Sequence, residues 1–166
     1  MIDHTIQQVE DQRKEFVKRK YQLHVHTNLG GRLLSYYIVP QDYYSPLPDF
    51  IIRATNNSTK NYVIGVSDSV PQELRPFFAL AEYVEFVEMR LRQRGRVMAA
   101  EEEIMKVIPT YLRSAYIERK IRLYEKELEL DRKDPDVYLL GEEGREEFSD
   151  TINFLRRRLG PEICWE

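Results

Sequence analysis

A change of rhythm near Pro71 constrains this chain more than any other feature. From about residue 21 up to it, apolar residues fall largely in short alternating runs; after it, they recur at the three-and-four spacing of helices. Tyr21, Leu23 and Val25 alternate with Gln22, His24 and His26, and Leu33 to Val39 alternates again. Asn28-Leu29-Gly30-Gly31 lies between these runs and supplies the residues of a hairpin turn. A tyrosine-rich loop over residues 41–48 is marked by Pro40, Pro46 and Pro48. Two further strands are expected near residues 50–54 and 62–66, separated by Thr55-Asn56-Asn57-Ser58-Thr59. Ahead of the hairpin, residues 3–19 read as an N-terminal helix, with Ile6, Val9, Phe16 and Val17 near one face and Lys18-Arg19-Lys20 at its end.

Past Pro71 the spacing predicts helices. Ser69 and Gln72 match a capping box and Pro71 suits a first turn, so a helix is expected to run from there to about Arg92. A second spans residues 97–107 and stops at Pro109. A third covers residues 110–132, with Ile117, Ile121, Tyr124 and Leu128 on one side and Leu112, Tyr116, Leu123 and Leu130 on an adjoining one. Asp134-Pro135 breaks it, and a last helix covers residues 142–159. Strands followed by helices define an α+β class: an N-terminal helix, a small and mostly antiparallel sheet of about four strands, then four helices. The length suits one domain over residues 1–166, with helix and sheet to 68, core helices over 69–109 and a helical extension over 110–166.

Composition narrows the function classes. With 42% hydrophobic residues the chain can build a core, and a net charge of -3 argues against a general nucleic-acid coat. The single cysteine, Cys164, cannot form an internal disulfide or a cysteine-rich zinc site. No apolar run approaches the roughly 20 residues of a membrane helix, and the first residues, MIDHTIQQVEDQRKEF, carry no apolar signal segment. A cytoplasmic, membrane-free protein is expected.

The segment from Pro76 to Met89 is apolar nearly all round, yet Glu82, Glu85 and Glu88 recur three apart along one helical stripe. Glu88 has Arg92 four residues on. Glu82 and Glu85 have no cation at three or four residues in either direction, so if buried they need a partner from elsewhere. The plain alternatives are that all three face water, or that they enter structural ion pairs.

The order of Tyr62-Val63-Ile64-Gly65-Val66, then Val70-Pro71 and Arg75-Pro76-Phe77, then Phe78-Ala79-Leu80-Ala81-Glu82-Tyr83-Val84-Glu85 resembles small bacterial zinc peptidases of the gluzincin type. In that family an edge strand aligns the substrate and the next helix carries His-Glu-x-x-His, whose imidazoles hold zinc while the glutamate activates water. The resemblance puts Glu82 at the catalytic glutamate. Ala81 stands where the first histidine would be and Glu85 where the second would be. The family's third, carboxylate ligand falls loosely on Ala99-Ala100-Glu101-Glu102-Glu103, with Glu101 as the named candidate. What the resemblance implies is a zincin-like scaffold without the standard zinc site, since one carboxylate and no imidazole on the helix would hold zinc weakly.

His24 and His26, two apart on one expected strand, could add imidazoles to Glu82 and Glu85 in a mixed site for zinc, manganese or iron; the plainer reading is the polar side of a half-exposed sheet. Paired tyrosines at 36–37 and 43–44 suit a small sheet, and the basic clusters at 92–96 and 156–158 suit solvated faces. Three functions are compatible with these residues. The first is a non-catalytic, zincin-like module that takes a peptide or protein partner by strand addition beside residues 62–66, with no cofactor. The second is a metal-dependent hydrolase using zinc or manganese at a carboxylate-rich site. The third is a helical module that dimerises or docks through residues 110–132.

Overall fold

The computed structural model describes residues 24–44, 46–55, 62–90, 94–138 and 140–159. The expected helix over residues 3–19, the start of the first strand and Cys164 lie outside them. The α+β class holds, with a four-stranded mixed sheet preceding the helices. The chain divides into two compact units, Met1–Tyr83 and Val84–Glu166, each taken by itself below.

In the first unit, β1 (His24–Leu29) and β2 (Arg32–Val39) form an antiparallel hairpin. Its two-residue turn, Gly30-Gly31, has φ of 57° and 77°, which glycine adopts freely and which matches the twist of paired strands. A 3-10 turn, Gln41–Tyr44, leads to β3 (Ile51–Thr55) and then to β4 (Tyr62–Ser67). The sheet order is β1-β2-β4-β3, with β2 and β4 parallel and the other two pairings antiparallel.

This order corrects the expectation that residues 62–66 form an edge. β4 is paired on both sides, with β2 over Gly65–Ser67 and with β3 along Tyr62–Val66. Its run Val63-Ile64-Gly65-Val66 has the unbroken apolar character of an interior strand. Ile64 and Val66 are buried on the same face as Leu34 and Tyr36, and α1 (Arg75–Tyr83) packs against the sheet with Phe77, Phe78, Leu80 and Ala81 buried. Burial pushes the Tyr36 hydroxyl above its usual range, and the Arg75 guanidinium partly offsets this.

The expected capping box is displaced as well. α1 begins at Arg75, four residues after Pro71, and the intervening turn closes through Leu74 and Arg75 amides that donate to the Pro71 carbonyl. Ser69 instead joins a polar knot at the ends of β2 and β4. Its hydroxyl lies 2.6 Å from Asp49 Oδ1 and 2.8 Å from both Gln41 Oε1 and Ser67 Oγ, and its Oγ accepts the Asp49 amide at 3.2 Å. Asp49 is buried with φ of 55°, a strained value for a residue with a Cβ, and the knot holds it there.

The second unit starts inside what the sequence reads as one helix. Val84–Glu88 is a single π-helical turn closed by the Met89 amide on the Val84 carbonyl, and no helix reaches Arg92 among the described residues. α2 (Arg96–Val107) follows Gly95, whose φ is 75°. Then come α3 (Thr110–Lys133), the short α4 (Pro135–Tyr138) and α5 (Gly141–Leu159). Pro109 precedes α3 and Pro135 opens α4, where a missing amide costs nothing. α5 packs on both α2 and α3, and its Glu147 caps α2 by accepting the Val97 amide at 2.9 Å.

Candidate functional site: a buried carboxylate held by two tyrosines and a lysine

α3 buries Leu112, Tyr116, Ile117, Lys120, Ile121, Leu123 and Tyr124. Most of the apolar stripe read from the sequence is thus buried. What α3 leaves exposed is mostly polar, apart from Tyr111 at 82%. Within the buried stripe, Tyr116, Lys120 and Tyr124 recur at four-residue intervals, so their polar tips line up along one helix face.

α2 places Glu101 opposite those tips. Its side chain is fully buried among Val97, Ala99, Ala100 and Ile104 of the same helix. The Tyr116 hydroxyl donates to Oε2 at 2.7 Å and the Tyr124 hydroxyl to Oε1 at 2.7 Å. The Lys120 ammonium, itself 4% exposed, lies 3.2 Å from Oε1 and 4.9 Å from the centre of the Tyr124 ring. Phe148 of α5 meets that ring at 5.1 Å. Both carboxylate oxygens are engaged and the charge is neutralised, which is what a buried carboxylate requires.

Burial, with the Glu101 charge and its hydrogen bond, pushes both tyrosine hydroxyls well above their usual range. For Tyr124 the charges of Tyr116 and Glu85 add to the effect. These hydroxyls therefore stay protonated and donate. A cation at Glu101 would have to displace Lys120.

The structure distributes the sequence-predicted site residues as follows. Of the three glutamates at 101–103, Glu101 is the buried one, Glu102 is exposed and Glu103 bridges to Lys106 at 2.8 Å. Glu82 and Glu85 are half-buried and Glu88 is exposed, so none of the three is hidden in a sealed interior. Glu82 is the last residue but one of the first unit and Glu85 the second residue of the second. His24 and His26 stand on β1 opposite Tyr37 and Ser35. Among the described residues, no group of three or more His, Cys, Asp or Glu side chains is placed to hold a metal ion. Lys120 was not singled out from sequence. The signal was there, as a lysine between Ile117 and Ile121 with a tyrosine four residues to either side.

These features define a class only: an α+β chain with an internally neutralised carboxylate in its helical unit. No protein-family model, curated protein or solved structure matches the chain. Among the described residues, no helix is long and apolar enough to cross a membrane.

Proposed function

We propose that the chain is a non-catalytic binding module that takes an extended peptide or protein segment by strand addition, on a scaffold with the strand-to-helix order of the zincin-like resemblance. The observation that carries this reading is the engagement of Glu101. The named carboxylate ligand spends its oxygens on Tyr116, Tyr124 and Lys120 and is sealed from substrate.

The docking edge moves from β4 to β3. Among the described residues β3 pairs only with β4. The Phe50 carbonyl accepts the Ser67 amide at 3.0 Å, so Ile52 and Ala54, of the same parity, turn their backbone groups toward β4. Ile51, Arg53 and Thr55 turn theirs outward, where an added strand would bond.

The test is selection of peptides from a random display library on the full chain, with affinities measured by calorimetry. Arg53→Pro removes an outward amide and spares the β4 ladder, so it should abolish binding, while Glu82→Ala should leave it intact. Binding that survives Arg53→Pro refutes the β3 edge. Stoichiometric zinc or manganese in untagged protein, with a rise in Tm on adding the metal, would instead favour a hydrolase with a carboxylate-rich site.

A further inference from the structure

In the second unit α2, α3 and α5 line a groove of about 300 Å3, bounded by Glu102, Met105, Lys106, Arg113, Phe154 and Arg158. Half of its residues are cationic. Elsewhere in this unit arginines meet carboxylates: Arg94 with Glu143, Arg145 with Asp131, Arg156 with Glu125. Among the described residues Arg113 and Arg158 have no such partner.

Arg158 places its guanidinium over the ring of the buried Phe154, 4.9 Å from the centroid. Arg113 donates from Nη2 to the Met105 carbonyl at 3.4 Å, which is long, and its buried Nε–H has no acceptor among the described residues. A desolvated donor on a charged group is costly when left unmatched, and such groups are rare in native structures.

We propose that this groove binds the oxyanion of a small ligand, a phosphate or carboxylate group, with Arg113 and Arg158 as its donors. A guanidinium offers paired N–H groups that fit two oxygens of either group; Arg113 Nε is itself out of reach of solvent, so the anion would be met by the terminal Nη groups of Arg113 and by Arg158, both of which line the groove. Lys106 stands at the rim, already bridged to Glu103, and adds positive potential. Glu102 works against the anion. The volume, at the lower end of ligand pockets, limits the ligand to the charged group and a small body.

The experiment is titration of the full chain with inorganic phosphate and, separately, with acetate at constant ionic strength, followed by calorimetry and by amide shifts. Saturable binding is expected with one or both anions, and the stronger of the two identifies the group. Arg113→Met and Arg158→Met should each weaken it about tenfold, and Glu102→Gln should tighten it several-fold. Arg158 is exposed, so its variant tests the site even if Arg113→Met fails to fold. No saturation by either anion at concentrations on the order of 10 mM, or affinity unchanged in Arg158→Met, would overturn the proposal.

Discussion

Replacing Lys120 with methionine leaves the Glu101 carboxylate buried without its counter-ion while keeping a side chain of similar length. At the observed 3.2 Å, the attraction between the two charges is about 5 kcal/mol at an effective dielectric constant of about 20. Removing the ammonium also removes its own desolvation cost, so the net loss should be about 3–5 kcal/mol, the usual range for orphaning one member of a buried pair. The two tyrosine hydroxyls still donate to Glu101 and soften the loss without neutralising the charge. Urea unfolding followed by far-ultraviolet circular dichroism would measure it, with an unchanged m value confirming that the same surface is exposed. The double variant Glu101→Gln/Lys120→Met removes both charges and should be more stable than Lys120→Met alone, giving a coupling of about 2 kcal/mol or more in the cycle. A loss under about 1 kcal/mol for Lys120→Met, or additive losses in the double variant, would refute the account of a mutually dependent buried pair.

Other consequences can be measured separately. Tyr116 and Tyr124 have folded-state pKa values above those of the unfolded chain, so their contribution is full below the ordinary tyrosine range and is lost as pH rises beyond it. The helical unit should therefore weaken above about pH 10 by on the order of 1 kcal/mol per pH unit for each tyrosine, and Tyr116→Phe should flatten that limb in pH-dependent unfolding. Asp49→Ala loses the acceptor for Ser69 and keeps the positive φ, so it should cost about 2 kcal/mol, while Asp49→Gly, free of the backbone strain, should cost less by thermal unfolding. Glu147→Ala uncaps α2 and should cost about 1 kcal/mol, with faster hydrogen exchange at Val97 as the local readout. At Gly31 a Cβ would meet nothing within 4 Å, so Gly31→Ala should destabilise by about 1–2 kcal/mol in thermal unfolding, through its φ of 77° and not through a clash with neighbours.

Several elements were legible because their causes are local. The hairpin follows from alternation on either side of Gly30-Gly31, the end of α2 from Pro109, and the start and end of α3 from Thr110 and the Asp134-Pro135 break. The start of α1 was misplaced because Ser69 has a better offer from across the fold, in Asp49 and Gln41, than from the turn after Pro71. The long reading of that helix failed for a related reason. Its apolar residues carry no stop signal, yet the regular helix ends at Tyr83 and gives way to a π-helical turn. At residues 101–103 the sequence offers three adjacent glutamates, Glu101 the named candidate among them, with nothing in their spacing to separate them; the structure places them in buried, exposed and half-buried positions.

Periodicity alone therefore determined the class of this protein: strands, then helices, with the changeover near Pro71, because side-chain spacing along a strand or helix is a property of the local backbone. Tertiary structure decided which strand is interior, which acid is buried and what neutralises it. Those outcomes depend on residues far apart in the chain, 15 positions between Glu101 and Tyr116 and 23 between Glu101 and Tyr124, that meet only when α2 and α3 pack. A carboxylate's charge is compensated by whatever lies within a few ångströms of it, and spacing along one helix does not specify what another helix brings there.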